Sequence, residues 1–127
     1  MSAAPAYSAE VRRLFAAQHA GELAGAGDLK TASADLQRGA ERILLQASLD
    51  GTRLAQLAFR AFGCPHLIAA AEAFCEAFEG QDATAMAGFS ATETMKKLAI
   101  PVEKTGRILL LEDAVRALQA SIAAQAP

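Results

Sequence analysis

A thiol and an imidazole stand two residues apart, Cys64 and His66, in the stretch Phe62-Gly63-Cys64-Pro65-His66, where a strand-like run gives way to an alanine-rich helical one. A cysteine at a helix N-terminus faces the positive end of the macrodipole and unpaired N–H groups, which favours the nucleophilic thiolate. Pro65 suits the first helical turn, where its missing N–H would have had no partner. The competing reading is a small buried hydrophobe, the usual fate of a cysteine in a short domain. Cys75, the only other cysteine, falls on the apolar stripe of the helix and reads as structural. The only histidines are His19 and His66, and a spacing of two residues places His66 poorly to deprotonate Cys64. The chain carries no Cys-x-x-Cys, no glycine-rich phosphate loop and no nucleophile elbow, so it does not read as an enzyme in its own right.

Composition bounds the rest. A chain of 127 residues reads as one domain, 1–127, able to bury a core without disulfides or structural metal. Two cysteines eleven residues apart are not a secreted disulfide framework. Residues 1–7 carry no basic segment followed by an apolar one, and no run reaches the roughly 18 apolar residues of a spanning helix. A cytoplasmic, soluble protein is expected. A net charge of −2, with acids and bases interspersed and no tryptophan, gives no reason to expect nucleic acid or membrane as a partner.

The elements that must position Cys64 follow from periodicity. After an alanine/proline leader, Ser8 caps a helix expected over Ser8 to His19, with Val11, Leu14 and Phe15 at helical spacing. Ala20 to Ala34, with Gly21, Gly25 and Gly27, reads as loop or poorly formed strand. Alternation then sets in over Ile43, Leu45, Ala47 and Leu49, and again over Leu57, Phe59 and Ala61, with the hairpin dipeptide Asp50-Gly51 between. Beyond Cys64, Leu67, Ala71, Phe74, Cys75 and Phe78 form one helical stripe and Glu72, Glu76 and Glu79 the opposite one, closed by Gly80. Two short helices are expected over Gln81 to Phe89 and Ser90 to Leu98, the second with a Ser90/Glu93 capping box. Pro101 breaks the chain before a last helix over Arg107 to Ala124. The total is an α+β domain: a small antiparallel sheet, a hairpin plus a possible third strand, packed against four to five helices.

Several motifs in this order resemble the IscU/NifU N-terminal family of iron–sulfur cluster assembly scaffolds. Ala6-Tyr7-Ser8 with Val11, Phe15 and Gly21 is similar to its opening helix and turn, and Phe59-Arg60-Ala61-Phe62-Gly63-Cys64 to its central Gly-Cys strand end. Leu98-Ala99-Ile100-Pro101-Val102-Glu103-Lys104 resembles its chaperone-read segment, and Leu111-Glu112-Asp113-Ala114-Val115 the start of its last helix. The resemblance implies a cysteine desulfurase as partner and an Hsp70-type chaperone recognising Ile100–Lys104.

The ligand positions depart from the family pattern. The family's Cys-Gly-Asp falls on Arg38-Gly39-Ala40 and its His-Cys on Gly106-Arg107, so of that site only Cys64 remains. One thiolate cannot supply the four ligands a zinc ion or a [2Fe–2S] cluster takes from protein. A metal site would draw on Cys64 and His66, with Asp35, Glu112 or Asp113 as further donors, but the lost ligands make no bound metal or cluster the expected state. Arg38 and Arg107, standing where ligands would be, would stabilise a thiolate or persulfide and repel a cation. Alternatively, they merely occupy an exposed former site. Two functions follow. The first is a scaffold-like assembly protein, degenerate at its metal site, that accepts sulfur on Cys64 with Arg38 and Arg107 beside it. The second is a non-catalytic binding or regulatory module that keeps the docking surfaces and would tolerate serine at position 64.

Overall fold

The computed structural model describes residues 7–23, 25, 27 and 29–125. The alanine/proline leader and Ala6 lie outside the described residues. Three strands form an antiparallel meander in the order β1 (Lys30–Arg38), β2 (Glu41–Asp50), β3 (Arg53–Phe62). Gly39 and Gly51, both at positive φ, turn the chain between Arg38 and Glu41 and between Asp50 and Arg53. These are left-handed positions that favour glycine. The alternating residues Ile43, Leu45, Ala47 and Leu49 of β2 face the core, with Leu57 and Phe59 beside them on β3.

Helices cover that face. α1 (Ala9–Leu14) packs on α2 (Pro65–Phe78), which lies against β3, while α4 (Thr105–Ala124) crosses β1 and β2 and carries α3 (Ala91–Leu98). The stripe expected on α2 is buried, and Ala69, Ala70 and Ala71 are buried with it, so the helix is enclosed on more than one side. The capping serines act as expected: Ser8 Oγ accepts from the Val11 N–H and Ser90 Oγ from the Glu93 N–H. No helix among the described residues is long and apolar enough to cross a membrane.

Four expectations need correction. The first helix ends at Leu14 rather than His19: Ala17 takes a left-handed conformation at φ 46°, and the segment beyond turns back to run beside β3. The stretch Ala20 to Ala34, read as loop or poorly formed strand, supplies from Lys30 the possible third strand, and that strand is fully formed because register with β2 supplies the hydrogen bonds that its own pattern does not advertise. The segment Gln81 to Phe89 holds only a 3₁₀ helix, Ala83–Gly88, begun by Asp82, whose side chain accepts from the Thr84 N–H. Glu72, assigned to the solvated stripe of α2, is 1% exposed.

Candidate functional site

Cys64 is the N-cap of α2, with Pro65 in the first turn, as its place in the sequence predicts. The residue is only 8% exposed, its own side chain makes no capping bond, and its N–H donates to Glu41 Oε2 at 2.9 Å. Glu41 opens β2, and Gly63 lies just beyond Phe62, the register partner of the neighbouring Arg42, so the sheet itself delivers the carboxylate to the corner. Gly63 has φ +116°, and a Cβ there would sit 1.6 Å from Glu41 Oε2. Glycine is thus required both for the turn and for the carboxylate's approach. Gly63→Ala is expected to cost about 1–3 kcal/mol, from backbone strain and a displaced Glu41. Urea unfolding of the variant checks this, and an unchanged midpoint would show the corner to be slack.

The other oxygen of Glu41, Oε1, accepts from Arg107 Nε at 2.8 Å. That bond, against the opposing effect of desolvation and aided by the Cys64 N–H and the charges of Arg107 and Lys104, holds the Glu41 carboxyl below its usual range. The Arg107 guanidinium is held protonated mainly by Glu41, with a further contribution from the negative charge a Cys64 thiolate would carry. Arg107 therefore sits at the cysteine corner, joined to it through a single carboxylate.

His66 is buried and turns its Nδ1 to 3.6 Å from Cys64 Sγ. The sequence reading makes His66 a neighbour of Cys64, though a poorly placed base; at a helix start the first turn folds the imidazole back over the cap. Its other side meets the Tyr7 ring, with centroids 4.9 Å apart. Burial first, then the positive charges of Lys104 and Arg107, lower the His66 pKa against the pull of Glu103, so the ring is neutral near pH 7. The exposed apolar residues Phe62 and Val102 belong to the segments flanking this corner.

The remaining expected neighbours are bonded to other partners, Arg38 although it stands opposite Glu41 in the β1–β2 register. Arg38 Nη2 bonds Asp113 Oδ2 at 2.8 Å on an exposed surface, Asp35 is gripped by Arg42 at 2.9 and 2.6 Å, and Glu112 accepts from the Ala91 N–H. Among the described residues no group of three His, Cys, Asp or Glu side chains is arranged to hold a metal ion. Cys64 and His66 alone do not fit a zinc ion or a cluster, and the nearest carboxylate, Glu41, is already engaged by an arginine and a backbone N–H. Glu41 is the participant that motif matching missed. A register shift at Ser48/Leu49 adds a residue on β3, so counting outward from the Asp50-Gly51 turn does not bring Glu41 to Gly63.

Cys75 is fully buried on α2, and burial, reinforced by Glu72, Glu79 and Glu76, pushes its thiol well above the ordinary value. It is an inert core residue, as its place on the apolar stripe predicts.

The model of the NifU-like N-terminal domain matches residues 6–124. No curated protein matches the sequence significantly. Among solved structures, the N-terminal part of a nitrogen-fixing NifU-like protein from Brucella abortus is similar at 14% identity and TM-score 0.70, over 94% of this chain and 95% of that one. A protein described as an iron–sulfur cluster assembly scaffold for the SUF system, from thermophilic Fervidobacterium islandicum, is similar at 13% identity and TM-score 0.67, over 89% and 96%. At such identities these likenesses speak for the fold, and the family match speaks for descent: the chain belongs to the NifU-like N-terminal domain family.

Proposed function

We propose that this chain serves iron–sulfur cluster assembly in the cytoplasm, as a single scaffold-like domain whose metal site is degenerate, and that it accepts sulfur on Cys64 from a cysteine desulfurase. The observation that carries this reading is the corner at Cys64: a thiol at a helix N-terminus, a neutral imidazole touching it, and an arginine tied to it through Glu41. A persulfide on Cys64 would have the helix N-terminus and Arg107 as its positive neighbours, whereas a metal cation would find too few free ligands among the described residues.

In the step proposed, the Cys64 thiolate attacks the terminal sulfur of the desulfurase's cysteine persulfide. A sulfur–sulfur bond forms at Cys64 Sγ, the donor's sulfur–sulfur bond breaks, and the donor cysteine leaves as thiolate, with no net oxidation. The helix N-terminus and Arg107 then stabilise the new persulfide anion. Because Cys64 is largely covered, docking of the donor must open the corner, and exposed Phe62 and Val102 offer it an apolar footing. Arg38 joins this reading only if its exposed pair with Asp113 exchanges, which costs little at the surface. Ile100–Lys104, which includes the 81%-exposed Val102, suits an Hsp70-type chaperone.

That same exposed segment favours the second reading, a binding module that kept its docking surfaces and lost its chemistry. One experiment separates the two. After anaerobic incubation with a desulfurase and cysteine, the wild type is expected to gain sulfur on Cys64 by intact mass and peptide mapping, and Cys64→Ser to gain none. A wild type that binds the desulfurase yet stays unmodified would favour the module.

A further inference from the structure

Far along α2 from the cysteine corner, His19 lies between Glu72 of that helix and Glu79, its C-cap residue. Its Nδ1 is 2.5 Å from Glu72 Oε2 and its Nε2 is 3.0 Å from Glu79 Oε1. Ionised carboxylates only accept hydrogen bonds, and an imidazole has two N–H donors only as imidazolium. Both contacts are therefore satisfied together by a charged ring. Each glutamate also uses its second oxygen: Glu72 Oε1 accepts from the His19 N–H at 2.8 Å, and Glu79 Oε2 from the Leu57 N–H at 2.8 Å.

These bonds close the outer edge of β3, the last strand of the sheet. The Phe59 N–H donates to the His19 carbonyl at 2.9 Å and the Gly21 N–H to the Phe59 carbonyl at 2.8 Å, so residues 19–21 run beside the strand. Without them Leu57 and Phe59 would present unpaired backbone groups, an open sheet edge able to pair with another chain. We propose that Glu72, His19 and Glu79 form a pH-operated latch: the imidazolium fastens the segment after α1 over the edge of β3, and loss of its proton releases that segment.

Among the described residues, Glu72 and Glu79 face His19 from α2 and its C-cap, and Glu76 on the same helix is taken by Arg13 of α1, which also pairs with Glu10. From β3 only backbone reaches it, Arg60 being paired with Glu22, and Cys75 of α2 is a neutral thiol. Partial burial acts to lower the His19 pKa, but the hydrogen bonds to Glu72 and Glu79, and their charges, outweigh it and raise it above the ordinary 6.5. The latch is thus fully closed below pH 6.5 and is lost as pH rises through the higher folded value. Between the two, the opening equilibrium constant grows with pH, by at most about tenfold per unit for a single proton, then levels off.

With only two histidines in the chain, ¹⁵N imidazole NMR on the intact protein reads the latch directly. His19 is expected to titrate above 6.5 with both ring nitrogens protonated at the acid end, and His66 below it. Amide exchange at Leu57 and Phe59, corrected for intrinsic rates, should accelerate along the His19 curve. Glu79→Gln, at a side chain one-third exposed (34%) and so tolerant of change, should move the His19 midpoint down and flatten the exchange profile. A neutral His19 ring across about pH 5 to 8, or edge amides whose protection ignores the His19 titration, would overturn the latch.

Discussion

Phe59→Ala is expected to lower the free energy of unfolding by about 3–5 kcal/mol, a large share of the roughly 5–15 kcal/mol available to a domain of this kind. Phe59 is 1% exposed, among the largest fully buried side chains, and lies opposite Leu45 on β3. Removing its ring opens a cavity between β3 and the helices that α2 cannot fill without leaving its bonds to His19 and Leu57. Backbone pairing to His19 and Gly21 survives the change in principle, so the loss belongs to packing. Urea unfolding should show a lower midpoint with an unchanged slope. A loss under 1 kcal/mol would show that the helices close over the gap.

Glu72→Ala should cost about 2–4 kcal/mol, because the His19 N–H loses its acceptor and the imidazolium loses one of its two carboxylate partners, keeping only Glu79. Glu72 is 1% exposed, and its two oxygens satisfy the ring and the backbone N–H of His19. The penalty has a pH signature. His19 has a raised folded pKa, so the stability it contributes is complete below 6.5 and fades as pH rises through the folded value. The difference between wild type and variant should therefore be largest in mild acid and shrink toward alkaline pH. Equal penalties at both ends would mean that Glu72 serves only as a packed side chain. Glu72→Gln, which can still accept from the His19 N–H, should cost less while keeping a difference from wild type that is largest in mild acid, because it too removes a charge that raises the His19 pKa.

The legible and illegible parts of the chain differ for physical reasons. The β2–β3 hairpin was readable because large apolar residues alternate around Asp50-Gly51, and α2 because its apolar stripe follows the helical period. β1 was not, since its inward residues are Ala32 and Ala34, too small to mark a face, and a glycine-rich approach hid its start. The end of α1 and the burial of Glu72 share one cause: the bond between His19 and Glu72 joins residues 53 positions apart, and no local window contains both. At the candidate site, Cys64 and Arg107 were found by type and position. Glu41 went unseen because a carboxylate at a strand start looks like ordinary surface until the register brings it beside Gly63. The same amphipathic argument that placed Leu67 and Phe74 correctly therefore misplaced Glu72, because periodicity assigns a face and says nothing of what another segment brings to it.

The account rests most on Cys64 as a sulfur acceptor in a site that does not hold metal, and one measurement addresses both halves. The wild type would be incubated anaerobically with ferrous iron, cysteine and a desulfurase, desalted, and assayed for sulfane sulfur and iron per chain alongside its visible spectrum. The predicted result is sulfur on Cys64 with no retained iron and no cluster absorption. Iron and sulfide retained together, with a cluster spectrum that Cys64→Ser abolishes, would contradict it, because ligands would then have assembled around a corner whose nearby carboxylate, Glu41, is engaged by Arg107 and the Cys64 N–H.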